Sequence, residues 1–160
     1  MAFPTTAVIG TNLTDTTATP KFTPTLKVSL SDGGEAMYVK ALSEISTYAA
    51  VAIYGDGTAQ MLTTTIAATA KRIAFAQTSI ASGYYGWVQV SGAPLVNLAA
   101  NCGPNAVLYT TATSGVLDDA TVSGGAILGM VAQTSISNAT AVTCVAAVGV
   151  MVGTGALPSV

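Results

Sequence analysis

The chain has 160 residues, with five Lys and Arg, seven Asp and Glu and no His, so its formal net charge is −2. Charged residues make up 8% and hydrophobic residues 51% of the chain, where a charged share of about a quarter is usual. This composition argues against a disordered polyelectrolyte and leaves too few cations for the basic stripe of a nucleic-acid binder. It also removes the commonest general base and transition-metal ligand together.

Residues 1–25 are rich in Thr, carry Pro4, Pro20 and Pro24, and show no sustained period of 2 or 3.6. Pro20-Lys21-Phe22-Thr23-Pro24 reads as extended chain. The segment holds Phe3, Val8, Ile9, Leu13 and Phe22 with almost no charge. An extended N-terminal arm follows, whose apolar side chains are expected to pack on a neighbouring subunit or a partner. It has neither the positive start nor the apolar run of a signal peptide, so synthesis in a cytoplasm is expected. The longest apolar run, Ala139 to Val152, is interrupted by Thr140 and Thr143 and falls short of the about 20 residues of a membrane helix.

Strand signals begin at Leu26. Leu26 to Leu30 alternates, Ser31-Asp32-Gly33-Gly34-Glu35 is a turn, and Ala36 to Leu42 returns as a partner strand. Ala49 to Tyr54 and Thr58 to Thr63 flank Gly55-Asp56-Gly57, a hairpin turn. Thr64 to Ser82 reads as a loop or short helix followed by a strand, with Ile73 and Phe75 facing inward and Arg72, Ala74 and Ala76 outward. Lys71-Arg72 is the adjacent pair of cations, suited to a solvated strand end or to a partner's carboxylates. Gly83 to Gly92 alternates most clearly, with Tyr85 and Trp87 on one face and Gly86, Val88 and Val90 on the other. Leu95 to Ala99, Val107 to Thr110, Val116-Leu117, Ala126 to Ala132 and Ala141 to Val148 complete the series. No repeat of fixed period stands out.

Strands about 8–12 residues apart, Gly-rich turns and no firm helix predict an all-β fold, a small β-barrel or β-sandwich with an extended N-terminal arm. The arm covers residues 1–25 and the barrel or sandwich domain 26–155, with 26–82 and 83–155 as the alternative division. Much of the apolar fraction is Ala, which buries little area, so contacts between subunits are expected to supply part of the stability. A surface with few charges is poorly protected against association, which suits a protein meant to be covered by neighbours.

Catalytic chemistry is not expected, nor is a metal or cofactor. Of the seven carboxylates (Asp15, Asp32, Glu35, Glu44, Asp56, Asp118 and Asp119), Asp32, Asp56, Asp118 and Asp119 sit in turns, where Asp bonds its own backbone. Gly83-Tyr84-Tyr85-Gly86 precedes a strand and not a helix, so it is no phosphate loop. Tyr84, Tyr85 and Trp87 could stack on a sugar, but core packing is their expected role. Cys102 and Cys144 are expected as reduced, buried thiols, with a mutual disulfide as the alternative.

The run Tyr84-Tyr85-Gly86-Trp87-Val88-Gln89-Val90-Ser91-Gly92 is followed by Ala106-Val107-Leu108-Tyr109 and Gly115-Val116-Leu117-Asp118-Asp119. Ile127-Leu128-Gly129-Met130-Val131-Ala132 and Ala141-Val142-Thr143-Cys144-Val145 come next. This order resembles the small β-barrel decoration, or cement, proteins on the outside of tailed-bacteriophage heads, over about residues 83 to 148. The resemblance implies a virion protein made in the host cytoplasm. It would bind the major capsid protein at a symmetry axis, as a homotrimer or, second, a dimer, with no nucleic-acid or membrane partner. On this reading Phe3, Val8, Ile9, Leu13, Phe22, Lys71 and Arg72 contact the capsid or a neighbouring subunit. The alternative is a pilus or surface-fibre subunit of a β-sandwich type, which predicts a Cys102–Cys144 bridge.

Overall fold

A computed structural model describes residues 10–69, 72–123 and 125–135, together with the backbone of 140–146. Twelve strands and one helical turn follow one another: β1 (Thr16–Thr17), β2 (Lys27–Ser29), β3 (Glu35–Ala41), β4 (Ala50–Ile53), β5 (Thr58–Met61), α1 (Thr64–Ala67), β6 (Arg72–Ala76), β7 (Tyr85–Gln89), β8 (Leu95–Leu98), β9 (Val107–Thr110), β10 (Leu117–Asp118), β11 (Ala126–Ala132) and β12 (Thr140–Ala146). The all-β barrel expectation holds. Turn chemistry explains the hairpins. The Asp32 carboxylate accepts from the Gly34 N–H at 2.9 Å beside Gly33 at φ 84°. Asp56 accepts from the Thr58 N–H and hydroxyl, beside Gly57 at φ 82°. The helical turn starts where the Thr63 hydroxyl accepts from the Ile66 N–H, the usual cap of a helix start.

Two five-stranded rings result. In the first, β3 pairs antiparallel with β7, β7 with β6, β6 with β4 and β4 with β5, and β5 returns parallel to β3. In the second, β8, β12, β11, β9 and β10 close in the same order, again with one parallel pair, β10 on β8. The change of ring falls between Gln89 and Leu95.

The rings are a structural repeat, down to the register. Lys40 opposite Tyr85 becomes Asn97 opposite Ala141, shifts of 57 and 56 residues. Phe75 opposite Gln89 becomes Val131 opposite Val145, both shifted by 56. Ala50 opposite Phe75 becomes Val107 opposite Val131, and the parallel pair Ala41 with Ala59 becomes Leu98 with Leu117. The left-handed residues recur too: Tyr48 (φ 61°) with Asn105 (φ 60°), and Gly57 (φ 82°) with Gly115 (φ 74°). Ala76-Gln77-Thr78-Ser79-Ile80 recurs letter for letter at residues 132–136. The expectation of no repeat of fixed period is therefore corrected to a repeat of drifting period. It failed because the period drifts between 56 and 58, and because few positions besides this pentapeptide keep their residue type.

Side-chain alternation divides the core into three clusters. Met37, Val39, Ala41, Val51, Ile53, Ala59, Ala74, Ala76 and Val88 fill the first ring. Their repeat equivalents Val96, Leu98, Leu108, Leu117, Met130 and Ala132 fill the second. The outward residues of β4 and β6, Ala50, Ala52, Ile73 and Phe75, belong to the same cluster as the second interior. This reverses the expected facing of β6. Ala74 and Ala76 point into the first barrel, while Ile73 and Phe75 point out of it and are buried by the second. Strands buried on both faces lose their polar alternation, so the sign of the face could not be told from the pattern.

The second barrel sits end-on against this outer face. Its β9–β10 turn brings Gly115 to the frayed end of the β4–β5 ladder. There the Ala50 N–H donates to the Gly115 carbonyl at 2.9 Å and the Gly115 N–H to the Leu62 carbonyl at 2.8 Å. A Cβ on Gly115 would lie 2.6 Å from the Ala49 Cβ, on a backbone at φ 74°. Gly115→Ala is therefore expected to destabilise the protein by about 1 to 3 kcal/mol through overpacking. Gly83→Ala, at φ 79° with nothing within 4 Å, is expected to cost only the backbone strain, about 1 kcal/mol. Urea midpoints of the two variants check the order. Equal losses would mean that the Gly115 contact is not tight.

Candidate functional site

The arm was the expected contact segment, and its described part is folded onto its own barrel. β1 pairs with β7 beyond the end of the β6–β7 ladder. Leu13 is buried, and Phe22 packs on it in a cluster with Val28, Leu30, Ala36, Tyr38 and Trp87. Phe22 meets Tyr38 edge-on at 5.4 Å between ring centroids, and Tyr38 meets Trp87 at 5.0 Å. The Tyr38 hydroxyl accepts from the Lys21 N–H and hydrogen-bonds the Thr17 hydroxyl. Leu13 and Phe22 thus lie in an intramolecular core, because the aromatic outer face of β3 and β7 needs cover. Trp87 is buried there as a core residue, which leaves no stacking platform at that ring. Phe3, Val8, Ile9 and Lys71 lie outside the described residues. Arg72 faces the end of the first barrel, with its Nη2 3.2 Å from the Met37 sulfur. Of the expected contact residues among the described ones, Leu13 and Phe22 share one cluster and Arg72 is not part of it.

The arm also covers the end of the first barrel. The Thr25 N–H donates to the Tyr38 carbonyl, the Tyr38 N–H donates to the Leu26 carbonyl, and Pro24 lies against Gly57. An open groove of about 580 Å³ runs along this segment, lined by Pro20 to Pro24 and Leu26.

The joint between the barrels is the most elaborate polar contact among the described residues. The Gln77 carboxamide grips one residue of β8: its Nε2 donates to the Leu95 carbonyl at 3.1 Å and its Oε1 accepts from the Leu95 N–H at 3.2 Å. The Asn97 N–H donates to the Tyr48 carbonyl and its Nδ2 to the Thr47 carbonyl, both at 2.9 Å. Leu95 is the repeat equivalent of Tyr38. The carboxamide of Gln77 therefore does for the second barrel what the backbone of Thr25 and Leu26 does for the first. Gln77, Tyr48, Asn97 and Gly115 were not singled out from the sequence. The repeated pentapeptide around Gln77 was the available signal.

One thiol lies beside two carboxylates. The ligand atoms of Cys102, Asp118 and Asp119 lie within 4.8 Å of one another. They serve the loop: Asp119 accepts from the Gly103 N–H at 2.8 Å, and the Cys102 Sγ lies 3.7 Å from Asp118. The Gly103 N–H holds the Asp119 carboxyl below its usual range. Its small stabilising effect is present at neutral pH and lost as pH falls through that lowered value. Burial, with the Asp119 and Asp118 charges beside it, pushes the Cys102 thiol up to about 11. Cys102 is free and buried; the side chain of Cys144 lies outside the described residues.

No protein-family model matches the chain, and no curated protein matches it.

The thiol makes a direct test. A neutral thiol reacts poorly with alkylating reagents. In the native protein near pH 8, the peptide carrying Cys102 is expected to stay unmodified by iodoacetamide, and to be modified fully in denaturant. Peptide mapping by mass spectrometry reads both. Rapid native labelling of Cys102 would contradict its burial.

Proposed function

We propose that the chain is a structural virion protein that decorates the outer surface of a bacteriophage head, binding the major capsid protein and stapling neighbouring capsid subunits. The observation that supports this reading is a doubled barrel whose surface carries very little charge. Among the described residues there is one ion pair, Lys27 with Glu35 at 3.8 Å, while Leu42, Val107 and Leu128 are exposed. Such a surface suits docking more than free diffusion. The segment whose order resembles head decoration proteins runs from the last strand of the first barrel through the second. It therefore centres on the second barrel, while the described part of the arm lies on the first. A stapling protein works through many modest contacts held at high local concentration, so detachment is slow although each contact is weak.

The rival reading as a pilus or fibre subunit draws on the same composition, but it calls for a disulfide at Cys102. The free Cys102 thiol favours the capsid reading. In the capsid reading the protein is made in the host cytoplasm and ends on the capsid exterior, with neither nucleic acid nor membrane as a partner.

Co-sedimentation with purified capsids of the parent phage tests the proposal. Saturable binding at a fixed ratio to the major capsid protein is expected. Absence of the chain from intact particles, with no binding when purified protein is added, would overturn it.

A further inference from the structure

We infer that residues 20–26 of the arm form a releasable lid. The lid lifts from the end of the first barrel while both barrels stay folded. Its release uncovers a barrel end of the kind by which the second barrel is docked. The inference does not depend on the capsid reading.

The lid stands where the second barrel has the first as its neighbour. At Leu95, the repeat equivalent of Tyr38, the Gln77 carboxamide takes the carbonyl and the N–H together. At Tyr38 the Thr25 N–H takes the carbonyl at 2.8 Å, and the Leu26 carbonyl takes the N–H at 2.9 Å. A Cβ added at Gly115 would lie 2.6 Å from the Ala49 Cβ. At the equivalent Gly57 it would lie 2.6 Å from the Pro24 Cβ. The lid thus reproduces, group for group, the contacts of a barrel face on a barrel end.

The backing differs. Behind the joint between the barrels lie Ala49, Ala50 and Phe75, all buried. In residues 20–26 no side chain is buried; Phe22 and Pro24 are half-buried and the others exposed. Phe22 supplies the apolar grip, edge-on to Tyr38 at 5.4 Å. The segment forms neither strand nor helix, and the open groove runs along it. Thr25 has φ 74°, a left-handed conformation in which a β-branched residue is strained. Segments with few buried apolar contacts open at a lower free energy than the whole protein. The flanks set the hinges. β1 holds the upstream side on β7, and β2 holds the downstream side on β3, so the lid opens as a loop between two paired strands.

Amide hydrogen exchange of the isotope-labelled full chain, followed by NMR, reads the opening. The Thr25 and Tyr38 amides donate across the lid contact, while those of Asn97 and Gly115 donate across the joint. The lid amides are expected to exchange through one shared opening. They should exchange about a hundredfold or more faster than the joint amides, after division by intrinsic rates. Gly57→Ala, which drives a Cβ into Pro24, is expected to widen that ratio about tenfold. Gly83→Ala strains a left-handed glycine with open space around it and should leave the ratio unchanged. Lid amides as slow as the joint amides would overturn the inference. So would a Gly57→Ala variant in which all four amides speed up equally, or equal effects of the two variants on the ratio.

Discussion

The fold depends on two small rings of strands, the first of which has strands buried on both faces. A ring of five strands has a narrow interior, which side chains must fill completely. When the outside of the same strands is also covered, little room remains for bulk on either face. All four residues of β4 are buried, and so are Ile73 to Ala76 of β6. Alanine meets both demands: Ala50 and Ala52 let the second barrel approach, and Ala74 and Ala76 fit inside the first. The Ala content that looked like a weak core is the condition for packing two barrels closely in so short a chain. The bulky residues are placed where space permits, with Phe75 in the joint and Trp87 under the arm.

The repeat gives the arm its physical meaning. A stack of like units leaves its two outermost surfaces without neighbours, and terminal units need a different cover. At the start of this chain the cover is the arm, which supplies backbone partners to Tyr38, a proline against Gly57 and apolar side chains over the β3–β7 face. Its apolar residues, in the described part, therefore cover a face of their own barrel. Arg72 completes the closure. It stands at an inward position of β6, with its guanidinium against the Met37 sulfur at the barrel mouth.

Most elements were legible in the sequence because their signals are local. Gly33 and Gly57 with Asp32 and Asp56 mark hairpins by turn chemistry, and Tyr85 to Val90 alternates cleanly because its two faces meet different surroundings. What could not be seen was relational. Ile73 and Phe75 look inward to any rule that equates bulk with interior, yet the interior here takes the alanines. The pairing of β3 with both β5 and β7 joins residues far apart, and nothing local to either strand announces a parallel closure. The joint was hidden for a further reason. Gln77 and Asn97 act through backbone atoms of Leu95, Tyr48 and Thr47, and a backbone partner leaves no mark on residue type. Only the repeated pentapeptide pointed to Gln77, and five letters carry weight once the registers of two rings are seen to coincide.

The asymmetry between the two ends bears on how a chain with so few charges could associate end to end. Many soluble proteins limit association with charge, and this one has little. A head-to-tail repeat with both complementary surfaces open would grow without limit, since heterologous contacts that do not close make filaments. Here one of the two surfaces is blocked by covalent design, because the arm is part of the same chain and is always at high local concentration over the first barrel. Head-to-tail growth through that end would first have to displace the arm from Tyr38 and Gly57.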